Sequence, residues 1–132
     1  MPGREKTDEQ RVGRDLIRFN PTHAKKEHLS DLLHQWSTLR EAIQEAFKMK
    51  TSNTHQQMNI GIKLYQDLLV QVSESDSFDQ EELKDYEILP LNGQERYTFI
   101  IMNSNRYSAF CQLNELFDET NKKIARLRIK AT

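Results

Sequence analysis

The sequence feature that most constrains the fold is an apolar stripe in the first half of the chain. Its members recur at three- and four-residue steps: Leu29, Leu32, Leu33, Trp36, Leu39, Ile43, Ala46 and Phe47. Side chains at those steps share one face of an α-helix, and a face this apolar must be buried. The stripe therefore predicts a long amphipathic helix over residues 22 to about 50, which needs other elements of the chain to cover it.

The next segment, residues 54–73, fits two interpretations. Its apolar residues form two helical stripes, one with Met58, Ile62, Tyr65, Leu69 and Val72 and one with Ile60, Leu64 and Leu68. Residues 58–64 also alternate strictly between apolar and polar side chains, which is typical of a strand. We favour a helix because the apolar pattern continues to Val72, beyond the length of a typical strand. A helix that is apolar on two sides belongs at the centre of a bundle.

The last third of the chain predicts two more helices. Its apolar positions are Phe99, Ile100, Tyr107, Phe110, Leu113, Leu116, Phe117, Ile124 and Leu127, with a break at residues 103–105. Asn92 followed by Glu95 has the form of a capping box, in which each side chain would accept the other residue's backbone amide. Residues 73–89 are acidic and predict a connection with a short helix over residues 78–86.

The N-terminal residues predict little structure of their own. Residues 1–7 have nothing to bury and are expected to be disordered. Residues 8–20 predict a short, marginally docked helix, with Asp8 as N-cap and Val12, Leu16, Ile17 and Phe19 as its apolar side. Pro21 ends that helix, because the residue before a proline avoids the helical region. With 132 residues in total, we predict an all-α, single-domain bundle of four to five helices over residues 8–132.

Composition limits the class of protein. One cysteine, Cys111, excludes an internal disulfide and suits a reducing compartment. No apolar run is long enough to cross a bilayer, and the N-terminus has no apolar signal region. We therefore expect a cytoplasmic protein without a membrane partner.

Charge is unevenly distributed, although the net formal charge is only −1. Residues 74–87 contain seven carboxylates and one cation, Lys84. After Glu119 come five cations and no acid: Lys122, Lys123, Arg126, Arg128 and Lys130. The net charge argues against a protein devoted to nucleic acid, and no aromatic residue lies among these cations to stack on bases. Charge separated in this way can steer partners or pair within the chain.

The sequence contains little that predicts catalysis. One cluster has metal-ligand chemistry, namely His23, Glu27, His28, Asp31 and His34, but its histidines face different directions on a helix. Arg18 and His23 have the Arg-x4-His spacing of HEPN-type ribonucleases, in which both residues lie together on a helix; here Pro21 interrupts it. There is no glycine-rich phosphate loop, Ser-His-Asp set or cysteine pair. We predict a non-enzyme with no metal and no cofactor, and an inert Cys111 in an apolar helix.

Two motifs carry a family resemblance. The first is Pro90-x-Asn92-x-x-Glu95-Arg96-x-x-Phe99-Ile100, and the second is Phe110-x-Gln112-Leu113-x-x-Leu116-Phe117-x-Glu119. Upstream stands Trp36-x-x-x-Arg40-x-x-Ile43-x-x-x-Phe47. Over roughly residues 30–120, the chain resembles the YpoC-like family of low-GC Gram-positive bacteria. The resemblance implies a bacterial protein and brings no established reaction. Most of the motif positions are apolar or capping residues, so we expect them to be structural.

Three functional hypotheses follow. The leading one is a non-catalytic helical adaptor or regulatory protein that acts through protein–protein contacts with an unidentified partner. Its candidate contacts are the five C-terminal cations and the apolar residues Leu16, Ile17 and Phe19. The alternative is an accessory nucleic-acid-binding protein that uses the basic C-terminal helix end, and the third is a HEPN-like ribonuclease. Trp36 and Arg96 are residue types that anchor interfaces; we expect instead that Trp36 fills the core and that Arg96 pairs with a carboxylate of the acidic connection.

Overall fold

The computed structural model describes residues 16–131. Within that range the chain forms four α-helices and one short 3₁₀ helix, without strands: α1 (Lys26–Lys48), α2 (Thr54–Gln71), the 3₁₀ helix (Gln80–Asp85), α3 (Gly93–Met102) and α4 (Tyr107–Ala131). The predicted all-α fold is confirmed, and residues 58–64 are helical. The disorder predicted for residues 1–7 and the helix predicted for residues 8–15 lie outside the described residues.

Helices α1 and α4 meet through aromatic rings. Trp36 stacks on Phe117 with ring centroids 4.2 Å apart and an interplanar angle of 11°. Nearer the other end of the pair, Phe47 packs edge-on against Tyr107 at 5.5 Å. Stacked and edge-to-face rings contribute about 0.5–1.5 kcal/mol beyond the area they bury. The last helix of the chain is thus one of the elements that cover the predicted apolar stripe of α1.

Helix α2 lies at the centre of the bundle. Met58, Tyr65, Leu68 and Leu69 are fully buried, which explains why the segment is apolar on more than one side. The hydroxyl of Tyr65 shares a 2.7 Å hydrogen bond with Thr120 of α4. Burial raises the pKa of this phenol, so the hydroxyl is held in its neutral form as a link between the two helices.

Gly61 lets α2 approach its neighbours closely. A Cβ at this position would lie 2.9 Å from Trp36 Cζ3 and 3.2 Å from Leu113 Cδ2. Glycine inside a helix costs about 1 kcal/mol relative to alanine. Glycine at this position lets α1 and α4 approach α2 closely, and this packing offsets the lower helix propensity of glycine.

Helix α3 is fixed on α4 by the guanidinium of Arg96. Its Nε donates to Gln112 Oε1 at 3.1 Å, and its two terminal nitrogens donate to the two oxygens of Glu119 at 2.9 and 3.0 Å. Glu115 lies 3.6 Å away, and the carbonyl of Leu91 accepts a further bond. The prediction that Arg96 pairs with the acidic connection is wrong, because the carboxylates that Arg96 contacts, those of Glu115 and Glu119, lie on α4.

Residues 16–20 are extended, so the predicted helix over residues 8–20 is wrong for this part. The amide of Ile17 donates to the carbonyl of Asp85 at 2.8 Å, and the amide of Glu87 donates to the carbonyl of Ile17 at 2.9 Å. Pairing with the acidic connection thus satisfies backbone groups that a helix would have paired locally.

The first long helix is shorter at its start than predicted. Helix α1 begins at Lys26 rather than at residue 22, because residues 21–23 form a turn. In that turn the side chain of Asn20 accepts the amide of Thr22 at 2.9 Å. Asparagine favours this local bond over a helix.

Asn92 lies at the predicted start of the helix, but the predicted capping bonds do not form. Asn92 is the residue before α3, but it adopts φ 58° and ψ 25°, and its side chain makes no capping bond. Glu95 is exposed in the first turn. Asparagine suits this site because it enters the left-handed region more readily than other residues with a Cβ.

We expect Asn92→Ser to lower the free energy of unfolding by about 1 kcal/mol, because serine has no preference for the left-handed region. Asn92→Gly should retain most of the stability, since glycine adopts positive φ without steric cost. Urea denaturation of both variants measures the difference. A capping role would give the reverse order, with serine as an equivalent cap.

We expect Arg96→Lys to lower the free energy of unfolding by about 1–2 kcal/mol. Hydrogen bonds to a charged group contribute about 1.5–3 kcal/mol, and the partial exposure of Glu119 screens them. An ammonium cannot reproduce the fork that binds both carboxylate oxygens. The matched control is Asp67→Asn, which breaks the exposed Lys63–Asp67 pair and should change stability by under about 0.5 kcal/mol.

The same ion pair predicts a dependence on pH. The hydrogen bond from Arg96 lowers the pKa of Glu119 below the ordinary glutamate value. A carboxylate with a lowered folded-state pKa stabilises the fold above its unfolded pKa and loses that contribution as the pH falls through its folded pKa. The stability difference between the wild type and Glu119→Gln should therefore be constant at neutral pH and disappear on acidification. Urea denaturation across a pH series measures it; a difference that persists in acid would contradict this origin.

Candidate functional site

The basic end of α4, residues 122–131, is the most strongly charged helical surface at one end of the bundle. Ile124 is the last fully buried residue of the helix. Lys122, Arg126 and Lys130 are exposed, and Ile129 between them is 73% exposed. Helical spacing places Lys122, Arg126 and Ile129 on the face opposite the core. The sequence prediction of a cationic helix end is thus matched by exposed cations around one apolar side chain.

Lys123 is bonded to another part of the bundle, whereas Lys122 forms an exposed ion pair with Asp118 of the same helix at 3.1 Å. The ammonium of Lys123 donates to the carbonyl of Leu89 at 3.1 Å. Burial lowers the pKa of Lys123, nearby Arg126 lowers it further, and Glu87 raises it. Lys123 therefore fixes α4 against the end of the acidic connection and is a poor candidate for contacts outside the chain.

Two open clefts flank the basic end. One, of about 510 Å³, lies between Pro21 and the α4 residues Ala125, Arg128 and Ile129. The other, of about 470 Å³, is lined by side chains of α4 itself, including Arg126 and Leu127. The α4 end thus presents concave apolar flanks beside its cations, and both clefts are wide open to solvent.

The apolar N-terminal candidates do not form a free contact surface. Phe19 is 9% exposed and belongs to the core, so little of its side chain is available to a partner in this structure. Its amide donates to Glu87 Oε1 at 2.8 Å. Ile17 is half-buried, and Leu16 is exposed. The reason is the extended pairing of residues 16–20, which turns Phe19 into the bundle.

The structure does not bring together the predicted metal ligands. His23, Glu27, His28, Asp31 and His34 are all exposed. Among residues 16–131, no group of three or more histidine, cysteine or acidic side chains could hold a metal ion. The HEPN-like spacing also lacks its helix, since Arg18 lies in the extended segment and His23 in a turn.

One polar triplet was missed by the sequence analysis. His55 Nδ1 lies 2.6 Å from the hydroxyl of Ser104, and Asn59 Nδ2 lies 3.3 Å from His55 Nε2. The order of groups resembles a nucleophile, a base and an orienting residue. Ser104, however, is buried, with 5% of its surface exposed, so its hydroxyl is closed to a substrate in this structure. The triplet ties the start of α2 to the α3–α4 loop; only the tertiary contact, not the sequence, places Ser104 beside His55.

A polar groove runs between α1 and α4. It has a volume of about 360 Å³, with Trp36 and Phe117 among its lining residues and Arg40, Asn114 and Asp118 at its sides. Both rings are already buried by neighbouring side chains. The groove therefore offers polar contacts but little apolar surface to a ligand.

Most residues of the predicted structural motif have structural positions. Trp36, Phe110, Leu113 and Phe117 are buried in the core, and Cys111 beside them is half-buried and free. Two residues are exceptions: Glu95 is exposed, and Phe99 is 38% exposed on the outer side of α3. None of the described helices has the length and apolar character needed to span a membrane.

Comparison with known proteins agrees with the extent of this bundle. A family model described as YpoC-like protein matches residues 26–132. No curated protein and no solved structure matches the chain. The matched region begins at the first residue of α1 and includes the three other α-helices. The chain belongs to the YpoC-like family.

Proposed function

We propose that this protein is a non-catalytic helical adaptor that binds an acidic surface of a partner protein through the basic end of α4. The observation that supports the proposal is the exposure of Lys122, Arg126 and Lys130 around Ile129. Arginine and apolar side chains supply much of the binding energy in protein interfaces, whereas charges at the rim guide encounter.

The start of this surface is anchored in the bundle. Ile124 anchors the helix in the core, and the bond from Lys123 to Leu89 holds its side. A surface on a fixed helix loses less conformational entropy on binding than a loop does. Preorganisation therefore favours the basic end as a contact site.

The size of the surface predicts the kind of contact. A stable interface buries about 800 Å² on each partner, more than the outer face of three helical turns provides. We therefore expect a transient contact that weakens with salt, because exposed charges are screened.

Nucleic acid is the competing ligand for the same cations. Phosphate binding needs only positive charge, but no aromatic residue follows Glu119 to stack on bases. The exposed Ile129 amid the cations favours a protein surface with an apolar residue of its own. We do not favour a ribonuclease, because Arg18 and His23 do not share a helix.

We further propose a cytoplasmic location in a low-GC Gram-positive bacterium. The half-buried, unpaired Cys111 suits a reducing compartment. The bacterial origin rests on the family resemblance of the sequence.

We expect the triple variant Lys122→Gln, Arg126→Gln, Lys130→Gln to lose its captured protein in pull-downs from native lysate. Exposed ion pairs contribute up to about 1 kcal/mol each, so affinity should fall by up to roughly two orders of magnitude. The lysate is treated with nuclease first. Capture that vanishes after this treatment would instead support nucleic-acid binding.

The matched control removes the same charge at the opposite end of the bundle. Lys48, Lys50 and Arg106 are exposed there, and their change to glutamine should leave capture intact. Equal loss in both variants would show that net charge, and not the basic end, determines binding. Circular dichroism verifies that both variants remain helical.

A further inference from the structure

Helix α3 has an apolar face that the bundle does not cover. Its core side contains Tyr97 and Ile100, which are buried. On the opposite side, Met102 is 75% exposed and Phe99 is 38% exposed. Leu91, two residues before the helix, is 82% exposed. These three residues, Leu91, Phe99 and Met102, are called the α3 stripe.

Acidic groups lie on α3 and on the elements beside it. Glu95 is exposed and lies one helical turn from Phe99. An open cleft between α3 and the 3₁₀ helix is lined by Asp79 and Glu81. On α4, Glu115 is 60% exposed in its side chain. Arg96 is already bound to carboxylate, amide and carbonyl oxygens, and the four carboxylates outnumber the exposed cations Lys84 and Arg106. The occupant of this surface must therefore combine positive charge with an apolar side chain.

The basic end of α4 has this chemistry. Its exposed face carries Lys122, Arg126 and Lys130 around Ile129. One chain thus presents a short acidic apolar surface and a short basic apolar surface.

We propose that the α3 stripe of one copy binds the basic end of α4 of a second copy. The proposal rests on the proposed function in so far as it uses the same basic end as a contact surface. The two surfaces differ, so the contact is heterologous, and a pair of copies keeps one free α3 stripe on one copy and one free basic end on the other. With a net charge of −1, two copies repel each other little. Self-association then extends to a ring or a short filament.

Analytical ultracentrifugation of the full chain tests this directly. At an ionic strength of about 0.01 M, where the Debye length is roughly 30 Å, the weight-average mass should rise with protein concentration to that of a dimer and beyond. At about 1 M, where the Debye length is roughly 3 Å, the mass should return toward that of a monomer. A wild type that stays monomeric throughout the low-salt series would overturn the proposal.

The variant Leu91→Gln, Met102→Gln removes apolar surface without touching the core, and it should remain monomeric at low ionic strength. The matched control Met49→Gln, Ile60→Gln changes two other exposed apolar residues and should associate like the wild type. Association that persists in the first variant, or that is lost equally in the control, would exclude the α3 stripe as the docking surface.

Two charge-reversal variants test whether the partner that binds the α3 stripe is a second copy of this chain. Glu95→Lys should abolish association by placing a cation within the acidic surface, and Arg126→Glu should abolish it from the other side. Mixed in equal amounts, the two variants should form a mixed complex, because the intact basic end of the first binds the intact α3 stripe of the second and the two exchanged charges are also opposite in sign. Failure to form this complex would overturn the assignment to a second copy.

The outcome is distinguishable from that of the adaptor function. A monomeric wild type that still captures a lysate protein through Lys122, Arg126 and Lys130 overturns self-association and leaves the adaptor function standing. A wild type that self-associates through both surfaces but captures no other protein supports self-association and overturns the adaptor function.

Discussion

The bundle depends on the place where Trp36 of α1 lies between Gly61 of α2 and Phe117 of α4. The indole stacks on the phenyl ring at 4.2 Å, and Gly61 leaves the space that its edge occupies. Truncating a buried aromatic side chain typically costs about 3–5 kcal/mol, a large part of the stability of a small domain. A side chain on Gly61 would push α2 away from both neighbours, and so the cost of a helical glycine is offset by the packing of three helices.

The second constraint is polar and explains what the family motifs do. Arg96 and Glu119, which both belong to the motifs that carry the family resemblance, form the bidentate pair that fixes α3 on α4. Gln112, also within a motif, accepts the third bond of the same guanidinium. These polar residues are bound to one another and to the backbone, and Trp36 and Phe117 are bound in the core. The residues that carry the family resemblance therefore describe how the helices pack.

Helical periodicity was sufficient to predict the architecture, because α1, α2 and α4 bury long stripes. The same rule decided correctly for residues 58–64, whose strand-like alternation is shorter than the helical stripe that contains it. It failed for residues 16–20, where the bonds of Ile17 to Asp85 and Glu87 come from a segment about seventy residues away and leave no local signal. The capping box at Asn92 was right in position and wrong in mechanism, since its left-handed backbone cannot be recognised from residue types that fit both roles. The candidate site was predicted only as a set of cations; which of them are exposed depends on tertiary contacts such as that of Lys123.

The distribution of polar contacts separates the interior from the surface of this bundle. Tyr65 with Thr120 and Tyr97 with Gln66 each join two helices, and His55 with Ser104 joins a helix to a loop. Groups committed in this way cannot also bind and orient a substrate without giving up bonds that stabilise the fold, at about 1 kcal/mol or more for each. The charged side chains of the basic end and of the acidic surface beside α3 are exposed and cost little to engage. The adaptor role proposed for this protein would use these exposed groups, and a partner would compete with two ion pairs there, Lys122–Asp118 and Arg96–Glu115.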